Sequence, residues 1–165
     1  MDASTVRLRP PRHRVARRAV GWWTARSLLG AAPVLAGLGA AYALLGAARP
    51  WLGPALVAVA ALAAGHAAVV PSWRYAVHRW ETTTTAVYAS SGWFVREWQV
   101  APLSRIQTVD RVRGPLQQLF GLATVTVTTA SAHGAVRLVG LDADVAARTA
   151  EQLTALVRRT AGDAT

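Results

Sequence analysis

Hydrophobic positions divide this chain into two unlike parts. From Ser27 to Ala48 it runs SLLGAAPVLAGLGAAYALLGAA without a charge, and a second apolar run, WLGPALVAVAALAAGHAAVV, covers Trp51 to Val70. At a rise of 1.5 Å per residue, a helix of either length spans about 30 Å, the thickness of a bilayer's hydrocarbon core. A lone apolar segment in lipid must satisfy its own backbone polar groups, so each run predicts a membrane-spanning helix. Arg49 and Pro50 alone separate the two runs, which predicts a tight antiparallel hairpin. The first run is too long for the apolar region of a cleavable signal, about 7–15 residues. Gly37 with Ala41, and Ala60 with Ala64, either offer small faces for close helix packing or reflect alanine-rich composition alone.

After Val70 the pattern shifts toward alternation. Trp73–Trp80 (WRYAVHRW) sets Tyr75 and Val77 on one face and predicts a first strand, and Thr82–Thr85 reads as a loop. Ala86–Ala89 is the next strand, Ser90–Gly92 a hairpin turn, and Trp93–Ala101 a long strand ended by Pro102. Ala123–Thr129 alternates strictly, with Val125 and Val127 opposite Thr124, Thr126 and Thr128. Ser131–Gly134 is a turn and Ala135–Val139 a strand. A helix then starts at Asp142 or Asp144 and runs to about Arg159, with Val145, Thr149, Leu153, Leu156 and Val157 on one face.

The stretch PLSRIQTVDRVRGPLQQLFGL, residues 102–122, fits neither period. Ile106, Val109 and Val112 lie three apart, which a bulge or short turn near Arg105–Thr108 resolves. Gly114–Gly121 reads as one or two helical turns that plug the sheet. Pro115 opens them, Leu116, Leu119 and Phe120 form the apolar face, and Gly121 stops them in the left-handed conformation. Strands followed by one helix make an α+β domain. The chain thus divides into a basic arm (1–26), a transmembrane hairpin (27–48 and 51–70), a domain (71–160) and a tail (161–165).

Charge orients this scheme. All 18 basic residues are arginine against eight acids, and seven of the arginines precede the first span while one sits in the hairpin turn. The positive-inside rule then places the N- and C-termini in the cytoplasm and the turn outside the cell membrane. Trp22, Trp23, Trp51 and Trp73 fall at the span ends, as an interfacial belt requires. Charge gathered at one end, without interleaved stacking aromatics, argues against a nucleic-acid partner. The absence of cysteine excludes disulfides, thiolate nucleophiles and zinc–thiolate sites.

Candidate chemistry is sparse. His13, His66, His78 and His133 are scattered, none paired at i, i+4 beside a carboxylate, so no metal or cofactor is expected. His66 within the second span is either a functional intramembrane group or a neutral imidazole near the interface. No nucleophile elbow or phosphate-cradling glycine loop occurs, and the chain is expected not to be an enzyme. Arg12, Arg14, Arg17 and Arg18 in the arm either set topology alone or also bind anionic lipid, at about 1 kcal/mol per arginine. Arg105, Arg111 and Arg113 are either a ligand- or partner-binding patch or a solvated rim in which Asp110 pairs an arginine for about 0–1 kcal/mol.

Pro102-Leu-Ser-Arg-Ile-Gln107, Val109-Asp110, Gly114-Pro115 and Leu119-Phe-Gly-Leu-Ala123, in that order behind two spans, resemble the bacterial pleckstrin-homology (PH)-like membrane proteins of the YdbS type. The resemblance covers about residues 20–158. It implies a PH-like antiparallel β-barrel or sandwich with a C-terminal capping helix, tethered to the membrane, with no catalytic activity. It also implies scaffolding or protein binding, with a second copy or with a larger related PH-like membrane protein. Sensing of anionic lipid through the arm and Arg105, Arg111 and Arg113 is the alternative. Arg111 stands where the family more often has an apolar residue, His78–Glu81 lacks the usual acidic turn, and the basic arm is longer than the common pattern.

Overall fold

The computed structural model describes residues 11–92, 94–130 and 134–162. Helices α1 (Arg18–Leu44) and α2 (Arg49–Val77) are both long and apolar enough to cross a membrane, and a 3-10 turn at Gly46–Ala48 joins them. Arg49 turns back over the end of α1, its Nε donating to the Tyr42 carbonyl and its Nη2 to that of Ala43, each at 3.1 Å. It thereby satisfies two of the carbonyls that a helix C-terminus leaves open. Half-buried positions recur every three or four residues, at Ser27, Ala31, Leu35 and Leu38 in α1 and at Leu56, Val59 and Ala63 in α2. That is the seam of a closely packed helix pair. Gly37, Ala60 and Ala64 lie beside the seam and are exposed.

Both helices continue past the uncharged runs on the side of the sheets. Trp73–Val77, expected in a strand, forms the last turns of α2, and only Arg79–Thr82 becomes strand β2. Eight alternating residues satisfy a helical face nearly as well as a strand face, and packing decides. Val70, Pro71 and Val77 are buried as one helical stripe beside the start of α1.

The strands form two antiparallel sheets. In the first, β1 (His13–Arg14), β2, β3 (Ala86–Ser91) and β4 (Glu97–Pro102) lie in sequence order. The second comprises β5 (Ile106–Val112), β6 (Leu122–Thr129) and β7 (Val136–Asp142). Helix α3 (Pro115–Leu119) precedes β6, and α4 (Ala143–Gly162) ends the described chain. Val87 and Ala101 of the first sheet share a core with Val125, Val127 and Leu138 of the second, closed by Ala146 and Leu153 of α4. The fold is α+β, and the sheets stack as a sandwich without closing into a barrel. The corner between them falls where the sequence broke its period. Leu103–Arg105 forms a 3-10 turn, and the β5–β6 register shifts between Ile106 and Thr108.

A second cluster welds helix α1 to the domain. Val15, Ala19, Trp22, Trp23 and Leu122 are buried together. Trp22 and Trp23 therefore do not form the expected interfacial belt, because α1 begins at Arg18 and its first turns pack under the sheet. Trp51 and Trp73 are exposed at helix ends, as expected. The close approach is made at Gly140, whose φ is +80° and where a Cβ would stand 3.0 Å from that of Ala19. Its carbonyl accepts from the Ala16 N–H at 2.9 Å.

Helix α3 packs on the sheet at β6, as expected, and on α1 as well. The Phe120 ring lies on Gly21, where a Cβ would meet it at 3.0 Å, and Leu119 points outward, 82% exposed. The buried member is Gln117. Its Oε1 accepts from the Gly114 N–H (3.1 Å) and its Nε2 donates to Thr124 Oγ1 (2.9 Å). Gly121, at φ +66°, ends the helix as expected.

Candidate functional site

Two concave regions flank the second sheet. The first lies where the helices meet the sandwich. Two adjoining clefts there, of about 300 and 610 Å³, share Trp22, Arg26, Arg137 and Val139 as lining. Arg74, His78, Ser91 and Gly92 are among the residues that line only the smaller one. Arg26 comes from α1, Arg74 from the last turn of α2 and Arg137 from the exposed face of β7. Arg26 and Arg137 are exposed and Arg74 is half-buried. Among the described residues none of the three guanidiniums has an ion pair; the one salt bridge joins Arg12 to Glu81 at 3.7 Å.

His78 sits at the junction of α2 and β2. Its Nδ1–H donates to the Arg74 carbonyl at 2.9 Å, and its ring packs on that of Trp23, centroids 5.1 Å apart. Burial pushes the imidazole below its ordinary 6.5; the hydrogen bond to the carbonyl opposes this, and the Arg74 charge reinforces it.

The second region is the gap between the two sheets. Among the described residues β4 pairs only with β3, and β7 only with β6. A cavity of about 600 Å³ opens between these strands, lined by Trp98, Val100, Pro102, Arg105, Thr129 and Val136. Trp98 is 41% exposed and Val100 42%. An edge strand with exposed apolar side chains beside a groove is a ready template for an added strand.

The residues singled out by sequence are dispersed. Arg105 lines the inter-sheet gap, whereas Arg111 lies exposed near the far end of β5, about 20 Å away along an extended chain. Arg113 Nε donates to the Leu122 carbonyl at 3.2 Å. The arm arginines fold onto the domain. Arg12 pairs with Glu81, Arg14 lies 5.9 Å from the Tyr75 ring centroid, Arg17 precedes α1, and Arg18 lies over Gly121. His13 stacks on Trp80 and His66 is exposed on α2, while His133 lies outside the described residues. Arg26, Arg74 and Arg137, which the fold does gather, are separated by 48 and 63 positions and carry no local signal.

Comparison with known proteins gives the family. A family model for the bacterial PH domain matches residues 26–157. The transmembrane protein YdbS of Bacillus subtilis (strain 168) is 32% identical over 95 residues, which is 58% of this chain. The match spans 58% of that relative's length, a little over half. No solved structure matches the chain.

Proposed function

The chain belongs to the bacterial PH domain family and is similar to the transmembrane protein YdbS, and we propose that it is a non-enzymatic membrane-anchored binding module. Its partner is a protein, either a second copy or a larger PH-like membrane protein, and the contact is made at the open gap between β4 and β7. The observation that carries this reading is the pair of edge strands flanking a groove with Trp98 and Val100 exposed along it. Backbone groups on such an edge supply affinity to an added strand, and alternate side-chain pockets supply selectivity. The arginine bias around the helices supports an orientation with both termini and the domain on the cytoplasmic side.

Photo-crosslinking of the full chain in its native membrane tests the reading. A benzophenone side chain at position 98 or 100 should yield a discrete adduct, identified by mass spectrometry as this chain or another membrane protein. The same group at Thr154, on the exposed face of α4, should not. Equal labelling from all three positions would remove the gap from consideration. A reporter fused after residue 162 that responds only on the outer side of the membrane would overturn the orientation.

A further inference from the structure

We propose that the cleft at the helix base binds the phosphate of an anionic glycerophospholipid, held by Arg26, Arg74 and Arg137. This goes beyond the protein-partner reading and uses a neighbouring cleft, which shares only Gln99 with the gap as lining. Arg26 is the last charge before the uncharged run that begins at Ser27, and Arg74 is the first after the run that ends at Val70. Four helical residues rise about 6 Å, so Arg74 stands one turn outside the hydrocarbon, at the depth of lipid phosphates. Arg26 and Arg74 reach that depth from adjacent antiparallel helices, and Arg137 is brought to the same cleft by β7. Three guanidiniums without a carboxylate partner among the described residues leave a local excess of positive charge, and guanidinium forks match phosphate oxygens in bidentate geometry.

The walls fit such a ligand. Buried Trp22 and Trp23 give the smaller cleft an apolar wall, and Ser91 and Gly92 line it together with Arg74. The adjoining larger cleft adds the hydroxyls of Thr124 and Thr126, suited to the glycerol or head-group polyol of the same lipid. The β3–β4 turn beyond Gly92 carries Phe94 and Val95, 87% and 67% exposed. Apolar tips beside a basic cleft are what a membrane-facing loop presents.

The test is native mass spectrometry of the full chain in non-ionic detergent, with added phosphatidylglycerol or phosphatidylcholine. Retained phosphatidylglycerol should exceed phosphatidylcholine by about tenfold or more. The variant Arg26→Gln/Arg74→Gln/Arg137→Gln should lose that preference. Arg148→Gln/Arg158→Gln/Arg159→Gln, an equal loss of charge on α4, should keep it. Should the triple variant fold poorly, Arg137→Gln alone, on an exposed strand face, should still reduce retention about threefold or more. Equal retention of the two lipids, or equal losses in the two triple variants, would overturn the site. Displacement of the lipid by equimolar glycerol phosphate would assign the cleft to a soluble phosphate and overturn the lipid assignment. None of these outcomes depends on the β4–β7 gap, so the two proposals stand or fall separately.

Discussion

The hydroxyl of Thr24 on α1 donates to the carbonyl of Ala67 on α2, 3.4 Å away. That carbonyl would be served by the N–H of residue 71 in an uninterrupted helix, and residue 71 is proline. Proline removes this bond and ordinarily kinks or ends a helix. A hydroxyl from the neighbouring helix replaces the missing donor, and α2 runs on to Val77.

Replacing Thr24 by valine should therefore destabilise the hairpin by about 0.6–2 kcal/mol. The cost should largely vanish in a Pro71→Ala background, where the backbone supplies its own donor. A double-mutant cycle on unfolding in detergent measures the coupling, and strict additivity of the two changes would refute the compensation.

Gly140→Ala places a Cβ at positive φ and 3.0 Å from that of Ala19. A loss of about 1–3 kcal/mol is expected, read as a lowered melting temperature with increased quenching of tryptophan fluorescence as Trp22 and Trp23 become wet. Ala19→Gly should relieve the contact without relieving the backbone strain, and so restore part of the loss.

The lowered pKa of His78 makes stability depend on pH. The unfolded chain takes up the proton near 6.5 and the folded chain does so only at lower pH. The contribution is thus fully present above 6.5 and falls away as pH drops from 6.5 through the folded value. Melting temperatures taken from about pH 7.5 to about pH 5.5 should decline more steeply for the native chain than for His78→Gln. Parallel slopes would show that His78 contributes nothing to the decline.

Gln117 holds both the start of α3 and the hydroxyl of Thr124. Gln117→Met keeps the volume and removes both bonds, at an expected cost of about 1–3 kcal/mol. Amide exchange at Gly114 should accelerate in this variant more than exchange in β3, which lies in the other sheet.

What was legible in the sequence follows a physical rule. The strict alternation of Ala123–Thr129 appears as β6 with Val125 and Val127 buried, and the helical face through Thr149 and Leu153 packs as expected. These segments carry their partner's location in their own period. Trp73–Val77 does not, because its alternation suits either period and the burial of Val70, Pro71 and Val77 beside the distant start of α1 decides for the helix. Strand β1 was invisible for a related reason. Two residues within a basic arm have no period, and pairing of His13 with Trp80 creates the strand. Arg26, Arg74 and Arg137 come together only through the docking of α1 against β7, which Gly140 permits and no local pattern announces.

Helix α2 enters β2 through His78 alone, and α1 is sealed to β7 on the other side. The domain thus has no tether on which to swing, and it diffuses as one body with its anchor. Its encounters are lateral collisions in a plane, and its gap stands at a constant height above the bilayer. If the gap receives a membrane-bound partner, as proposed, that partner must present its complementary segment at that height, and elevation is matched before any side chain is read.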